Sequence, residues 1–240
     1  MRVFPVTGLP EIREGDDLAA HVVDRATLED GDVLVVAQKA VSKAEGRIVQ
    51  LDDVEPSERA LELAVDGEDP RRTEVILREA VEIVRIRPPL LIVETRHGFI
   101  CASAGVDASN APEPGTLVLL PLDPDASAAR IRDRVRDLTG ANVGVIVSDS
   151  FGRPWRQGTT DVALGAAGIR VMEDLRGTRD RIGYELKSTQ IAIADELAGA
   201  AQLVMGKADG IPVAVVSGLD VAGEGTAKEL LIPADRDLFR

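Results

Sequence analysis

The apolar residues of this chain follow two spacings, one typical of helices and the other of buried strands. Helical spacing predicts helices from about Asp17 to Leu28, from Pro56, from about Arg71 to Val84, from about Pro124 to Leu138, and from Thr189 to Val204. Unbroken apolar runs predict strands at DVLVVA, LLIVET, LVLLPL, NVGVIVSDS and PVAVVS. Because helices alternate with several non-adjacent strands, we expect an α+β fold, with mixed sheets and flanking helices in two lobes.

Composition and charge exclude several classes of protein. The 240 residues carry a formal net charge of −13, and 2% of them are aromatic. Nucleic-acid binding requires basic grooves and stacking rings, so we expect no nucleic-acid partner. The segment MRVFPVTGLPEI has no long apolar region, so we expect no secretory signal, and no apolar stretch reaches the ~20 residues needed to span a bilayer, which argues against a membrane partner. Cys101 is the sole cysteine, and this favours a cytoplasmic location.

Lysine is rare in this chain and occurs near strand ends. Of 28 basic residues only five are lysine, and Lys39 and Lys43 follow the DVLVVA run directly. Compact ammonium groups at a strand end are suited to binding phosphate, although a compositional bias towards arginine explains the same count. The GxxxxGK[ST] phosphate-binding loop is absent. Lys207 lies in the segment MGKADGIP, whose backbone N–H groups could hold a phosphate or a purine edge, or simply end a helix at Gly206.

Two acidic segments could bind a divalent cation. Asp149 and Ser150 end an apolar run, and a carboxylate beside a hydroxyl suits Mg²⁺ at the carboxyl end of a strand; a helix cap or turn is the alternative. Asp107 and Asn110 lie in a loop rich in turn-forming residues, where an Asx-turn is the simpler interpretation of Asp107. If the fold brings Asp107 and Asp149 together, the pair predicts a metal site.

Other reactive side chains show no catalytic pattern. His21 and His97 accompany no nucleophile motif. Cys101, in FICAS, is predicted to be a buried strand residue. No catalytic residue is identified from the sequence.

Taken in order, the segments resemble the coenzyme F420-0:L-glutamate ligase (F420 gamma-glutamyl ligase) family. The resemblance runs from about Phe4 to about Glu229. It is carried by the motifs FPVTGLPEI, GDVLVV, VSKAEGR, AGVDASN, PLDPD, VIVSDSFGRPWR, ADELA, LVMGKADGIPVAVV and GLDVAGEG. It implies one catalytic unit over residues 1–240 with the α+β fold of that family.

The resemblance also implies a reaction. Members use GTP to convert the terminal carboxylate of the deazaflavin precursor F420-0 into an acyl phosphate, which the amino group of L-glutamate attacks. GDP and phosphate are released, and further γ-linked glutamates can be added. The family requires Mg²⁺ or Mn²⁺, is helped by K⁺, and forms homodimers.

Residue roles follow by matching position. The resemblance implies that Asp107, Asp149 and Ser150 bind metal. The implied nucleotide-binding residues are Leu9, Pro10, Glu11, Ile12, Lys43, Asn110, Met205, Gly206, Lys207, Asp209, Gly210 and Ile211.

The chain departs from some family members. Some archaeal members have an acidic metal ligand at the position of Lys207, which a protonated lysine cannot replace, and a serine at the position of Gln38. Two-domain relatives append a flavin-reductase-like domain that we do not find after DRDLFR, so we expect either a stand-alone ligase or an isolated N-terminal half.

Two alternatives to the ligase remain open from the sequence. The first is a GTP-dependent amino-acid ligase that acts on another carboxylate acceptor. The second is a non-catalytic GTP-binding protein.

Overall fold

A computed structural model describes residues 1–65 and 67–238. Six α-helices lie within these ranges: α1 Leu18–Val23, α2 Gln38–Ala44, α3 Glu58–Leu63, α4 Pro70–Glu79, α5 Pro124–Thr139 and α6 Ile193–Met205. The strands of the same ranges are β1 Arg2–Pro5, β2 Val33–Ala37, β3 Ile48–Gln50, β4 Ala80–Arg87, β5 Leu90–Thr95, β6 Ile100–Ala102, β7 Thr116–Val118, β8 Gly144–Arg153, β9 Arg156–Ala167, β10 Glu173–Asp174, β11 Gln190–Ile191 and β12 Val213–Ser217.

The larger lobe is a five-stranded sheet between two layers of helix. Its strand order is β1-β12-β2-β8-β9, with β2 and β8 parallel and the other neighbours antiparallel. Alternate residues of β2 enter different cores: Leu34 packs with α1, α2 and α5, whereas Val35 packs with α6. Because both faces are covered, the central strands are continuous apolar runs, which explains their visibility in the sequence.

The smaller lobe is inserted between the parallel strands β2 and β8. It contains the sheet β4-β5-β6, the pair β3-β7, and helices α3 and α4 around a separate apolar core. A fourth cluster, which includes Phe99 and Leu120 of the smaller lobe and Leu164 of β9, joins the two lobes. The α+β class with mixed sheets is therefore confirmed, and α2 and α5 connect the lobes.

Helix starts follow the capping residues of the sequence. Asp17, Ser57 and Asp123 each accept a hydrogen bond from a backbone N–H three residues later, at 3.0, 3.2 and 3.1 Å. At the other end of α5, Gly140 adopts a left-handed conformation with φ of 79°, which favours glycine. Because these capping residues mark both ends of α5, the helix predicted from Pro124 to Leu138 is confirmed and is one residue longer.

Several predicted boundaries are wrong. The helix expected from Arg71 to Val84 ends at Glu79, and Ala80–Arg87 is strand β4, because its alternating residues pair with β5. The first helix stops at Val23, and the last long helix begins at Ile193. Pro56 precedes its helix and does not lie in the first turn. The strand expected to stop at the polar pair Asp149 and Ser150 continues to Arg153, and β9 was not predicted.

In residues 1–65 and 67–238, no helix is both long enough and apolar enough to cross a membrane.

Candidate functional site

A cavity of about 220 Å³, the first cavity, opens at one end of the five-stranded sheet. Its wall comes from the loop after β1, from the β2–α2 junction, from β8 and β9, and from the loop after α6. The lining residues are Leu9, Pro10, Glu11, Ile12, Ala37, Gln38, Lys39, Ala40, Lys43, Asn110, Ser148, Asp149, Ser150, Asp161, Met205, Gly206, Lys207, Gly210, Ile211 and Pro212.

Helix α2 supplies two lysines to this wall. Lys39 and Lys43 are four residues apart, a spacing that places both on one face of a helix. Lys43 is buried and forms an ion pair with Glu11. Lys39 donates to Asp107 Oδ2 at 2.6 Å and to Ser109 Oγ at 2.8 Å. The helix therefore carries two ammonium groups, each held in place by an acid from a different loop.

The hairpin of β8 and β9 supplies the acidic and hydroxyl groups. Ser150 pairs with Asp161 across the two strands and donates to its Oδ1 at 2.7 Å, and Ser148 donates to Oδ2 at 3.1 Å. Gln202 of α6 accepts from the Asp161 amide at 3.1 Å, and its amide group lies 3.2 Å from Ser150 Oγ. Asp161 is buried, and both of its oxygens are occupied by serine hydroxyls.

Asp149 lies between these serines in sequence, in the wall of the first cavity. Burial raises the pKa of Asp149 to about 6, and the Asp161 carboxylate acts in the same direction. Lys39 and Lys207 oppose this rise because each favours the ionised carboxylate. The site therefore contains a carboxylate whose negative charge is incompletely balanced.

Asp107 lies at the end of the loop that faces α2. Burial opposes its ionisation, but the hydrogen bonds from Lys39 and Ser109 outweigh that effect and lower the pKa of Asp107 to about 2. Ser109 N–H also donates to Asp107 Oδ1 at 2.8 Å, which is the Asx-turn geometry considered from the sequence. Asp107 therefore forms an Asx-turn and also an ion pair with Lys39.

The loop after α6 begins with a left-handed residue. Gly206 has φ of 64°, and a Cβ at this position would lie 2.0 Å from Asp209 Oδ2. The positive φ favours glycine here, and the Asp209 carboxylate lies close to the Gly206 backbone at the end of the helix. Lys207 follows in an exposed position and lines the first cavity, whereas Asp209 does not line it.

A second cavity of about 590 Å³ adjoins the first, between the β8–β9 hairpin and the smaller lobe. Asp149, Ser150 and Lys207 line both cavities. The remaining wall of the second cavity is Arg72, Leu90, Ile92, Ile100, Cys101, Ala102, Ser103, Gly105, Val106, Asp107, Phe151, Gly152, Arg153 and Pro154. Burial and the Asp149 charge raise the pKa of Cys101 to about 12, so its thiol stays protonated and inert.

The structure brings most of the sequence-derived site residues together. Eleven of the twelve expected nucleotide-binding residues line the first cavity, and Asp209 is the exception. Of the expected metal ligands, Asp149 and Ser150 lie at the junction of the two cavities, whereas Asp107 lines the second cavity. Asp149 and Ser150 occupy the middle of a strand, so their predicted place at a strand end is wrong.

The oxygen donors at the junction fit a hard divalent cation in part. A carboxylate beside a serine oxygen is the donor chemistry that Mg²⁺ and Mn²⁺ prefer. Across residues 1–65 and 67–238, no group of three or more acidic, histidine or cysteine side chains is arranged to hold a metal. Asp107 would have to exchange its Lys39 partner for the cation in order to join Asp149.

Two side chains at the site, Gln38 and Asp161, are not among the binding residues expected from the sequence. Gln38 is buried and donates to Ser42 Oγ at 2.7 Å and to the Leu119 carbonyl at 2.8 Å, which joins α2 to the smaller lobe. Asp161 has no motif of its own in the sequence, because only its pairing with Ser150 across β8 and β9 gives it a place in the site.

Comparison with known proteins identifies relatives over the whole chain. Coenzyme F420:L-glutamate ligase of Methanopyrus kandleri is 49% identical over 247 residues, which cover 100% of this chain and 98% of the relative. The proteins of the same name from Archaeoglobus fulgidus and Methanocaldococcus jannaschii are 47% and 44% identical, covering 100% and 97% of this chain and 96% and 94% of their own. The sequence model of F420-0:Gamma-glutamyl ligase matches residues 8–218. The chain therefore belongs to the F420-0:gamma-glutamyl ligase family.

Proposed function

We propose that this protein is a GTP-dependent ligase that joins L-glutamate to coenzyme F420-0 through an acyl phosphate. The observation that supports the proposal most strongly is the arrangement of two adjoining cavities that share Asp149, Ser150 and Lys207. Phosphoryl transfer from a nucleotide to a carboxylate requires both substrates to meet at one charged centre. The relatives named above as coenzyme F420:L-glutamate ligases support the choice of acceptor and amine.

In this proposal the first cavity binds GTP. Lys39 and Lys43 of α2 supply positive charge for the phosphates, and the loop after α6 supplies backbone N–H groups and Lys207. Leu9 and Pro10 contribute apolar surface against which a purine can pack. When phosphate oxygens enter, they can compete with Glu11 for Lys43 and with Asp107 for Lys39, since both acids are partly exposed to solvent.

The acceptor reacts at the junction of the cavities. An oxygen of its carboxylate attacks the γ-phosphorus, the bond from that phosphorus to the β–γ bridging oxygen breaks, and GDP leaves. The glutamate amine then attacks the acyl carbon, phosphate leaves with the bonding electrons, and the amine loses a proton. A divalent cation, held by Asp149 and Ser150, would supply charge neutralisation during the transfer. Lys207 faces both substrates and orients the γ-phosphate towards the acceptor.

The second cavity binds the acceptor. Its volume exceeds that of the first, and its side walls are apolar, with Leu90, Ile92, Ile100 and Phe151 among them. A flat aromatic ring system such as a deazaflavin buries well against such side chains. Its acidic end must then point towards Asp149 and Lys207, where the nucleotide phosphates lie.

The test is an assay with F420-0, L-glutamate, GTP and Mn²⁺, read by mass spectrometry and by GDP release. We expect a product heavier by one glutamyl residue and one GDP per product. Omission of glutamate, or replacement of F420-0 with other carboxylic acids, serves as the control. A folded protein that gives no such product contradicts the proposal, and GDP release with another acid identifies a ligase of different acceptor specificity.

Related expectations stay predictions. These are the addition of further γ-linked glutamates, stimulation by K⁺, the homodimer and the cytoplasmic location. Each is measured separately: product length by mass spectrometry, activity against K⁺ concentration, molar mass by light scattering, and cell fractionation.

A further inference from the structure

The second cavity is lined by an arginine for which the described residues supply no ion-pair partner. Arg72 of α4 is partly buried, and its Nε is enclosed without a hydrogen-bond partner. Within residues 1–65 and 67–238 no carboxylate forms an ion pair with it. Glu68, which lines a small adjoining cavity with Arg72, lies beyond ion-pair distance. An enclosed donor without an acceptor costs about 1–3 kcal/mol, so this arrangement needs a reason.

The other arginines of the same helix are paired. Arg71 donates to Asp69 and Asp52 at 2.7 and 2.8 Å, and Arg78 donates to Glu74 at 2.9 Å. Both of these arginines therefore form ion pairs with acidic residues of the chain. Arg72 differs in that it faces the cavity, where an anion from outside the chain can reach it.

The backbone next to this arginine is also under strain. Ser103 and Ala104, which form the turn after β6, have φ of 53° and 54°, in the left-handed region that non-glycine residues rarely adopt. Ser103 lines the second cavity together with Arg72. Such strain costs on the order of 1–3 kcal/mol for each residue and is typical of ligand sites. The strained turn and the enclosed Arg72 Nε, which has no partner in the described part of the chain, thus lie at the same cavity.

We propose that Arg72 binds a second anionic group of the acid acceptor, of the phosphate or carboxylate class, at a point away from the reacting carboxylate. The inference rests on the proposed function, because it assigns the acceptor to the second cavity. The reacting carboxylate must lie at the junction near Asp149, on the larger lobe, whereas Arg72 belongs to the smaller lobe. A planar guanidinium binds two oxygens of one such group and sets the direction of the acceptor.

The chemistry of the cavity favours the acceptor over glutamate as the ligand of Arg72. Leu90 and Ile92 belong to β5, the strand that packs against α4, and a small, fully polar molecule such as glutamate gains nothing from their apolar side chains. An acceptor with an aromatic body and an acidic side chain uses both the apolar wall and the arginine. Arg72 therefore acts as a specificity determinant for an acceptor that carries charge at two places.

The test compares Arg72→Gln and Arg72→Lys with wild type, with Arg78→Gln as the matched control on the same helix. We expect Arg72→Gln to raise the KM and the Kd for F420-0 about 10- to 100-fold, with little change in kcat or in the KM for GTP and glutamate. Arg72→Lys should recover part of the loss, since it keeps the charge but not the two-pronged geometry. Arg78→Gln should bind F420-0 as wild type does, and melting temperatures show whether each variant is folded.

Two further measurements separate this inference from the proposed function. Binding of F420-0 is measured directly by calorimetry without nucleotide, and the deazaflavin nucleus without its acidic side chain is the second probe. We expect wild type to prefer F420-0 and Arg72→Gln to lose much of that preference. An unchanged Kd for F420-0 in folded Arg72→Gln, or a rise confined to the KM for glutamate, overturns the inference while wild-type turnover still supports the ligase. Wild-type protein that binds F420-0 without turnover refutes the proposed reaction and leaves the Arg72 comparison valid.

Discussion

Asp161 offers a sharp test of how the site works, because it touches the proposed cation ligand without being one. The carboxylate accepts from Ser150 Oγ at 2.7 Å and from Ser148 Oγ at 3.1 Å. Because the Ser150 hydroxyl donates a hydrogen bond to Asp161 and accepts one from the Gln202 amide, its oxygen keeps a lone pair for another group, such as a cation beside Asp149. Asp161 is thus a positioning residue, and its charge decides which way the hydroxyl of Ser150 points.

The substitution Asp161→Asn keeps the volume and one carbonyl acceptor but places an amide donor against one of the two serines. That hydroxyl must then turn to accept, which directs its proton away from the amide. We expect little change in the free energy of unfolding, within about 1 kcal/mol, since both serines keep a partner. Asp161→Ala removes the acceptor of the buried Ser148 hydroxyl and of the half-buried Ser150 hydroxyl, and we expect a loss of about 3 kcal/mol, or about 6–12 °C in melting temperature.

The assay is GDP release as a function of Mn²⁺ concentration. Loss of an outer partner of a metal ligand typically costs 10- to 100-fold in metal affinity or activity. We therefore expect Asp161→Asn to need about 10 to 100 times more Mn²⁺ for half-maximal rate, with a melting temperature within about 4 °C of wild type. Asp195→Asn is the matched control, since Asp195 accepts from Ala163 N–H of the same strand at 2.8 Å and lines neither cavity.

The reasoning is refuted if folded Asp161→Asn follows the wild-type Mn²⁺ curve. It is also refuted if Asp195→Asn shifts that curve equally, because the effect would then report general disturbance of β9 and not the direction of the Ser150 hydroxyl.

Three smaller predictions concern the fold around the site. Iodoacetamide at pH 8 should leave Cys101 of the native protein unlabelled, and label it in urea, since burial raises the pKa of its thiol to about 12; mass spectrometry reads the label. Glu74→Gln should lower the melting temperature at pH 7. Hydrogen bonds from the Ser57 hydroxyl and amide and from Arg78 hold the pKa of Glu74 at about 2, against an ordinary 4.5. The ionised Glu74 carboxylate therefore stabilises the fold above about pH 4.5, and this stabilisation is lost as the pH falls towards 2. Thermal melts across that range should show the difference in melting temperature between the variant and wild type shrinking. Gly165→Ala should destabilise the protein by more than about 2 kcal/mol in urea unfolding, because the new Cβ would lie 2.1 Å from the Pro124 carbonyl oxygen; stability equal to wild type contradicts the close contact of β9 with α5.

The sequence predicts well those parts of the fold whose structure is decided by neighbouring residues in the chain. The apolar runs at β2, β8 and β12 are buried on both faces, and the caps Asp123 and Gly140 mark the ends of α5. The segment Ala80–Arg87 is predicted wrongly because its apolar residues satisfy helical spacing as well as strand alternation. Pairing with Leu90–Thr95, which lies next in the chain, decides in favour of a strand.

The site likewise contains residues that contiguous sequence motifs predict and residues that only distant contacts place there. The residues of the LPEI and MGKADGIP segments follow from resemblance, since each is a contiguous stretch. Asp161 and Arg72 depend on partners across a strand pair or across the gap between lobes, and no periodicity reveals these. Lys39 stands between the two cases. Its place after a strand suggested phosphate binding, but its contact with Asp107 joins residues 68 positions apart.

The net charge of −13 is the last feature to reconcile with a protein proposed to bind three anions. Three of the five lysines, Lys39, Lys43 and Lys207, line the first cavity, and Arg72 and Arg153 line the second. At 0.15 M salt, charges more than about 8 Å apart are largely screened, so an anion inside a cavity responds to these five groups far more than to acids on the distant surface. The lysines in turn are held by Glu11 and Asp107, which the substrate phosphates can displace. The acidic surface therefore does not oppose anion binding. Most of the few lysine ammonium groups of this chain lie in the first cavity, where phosphate is proposed to bind.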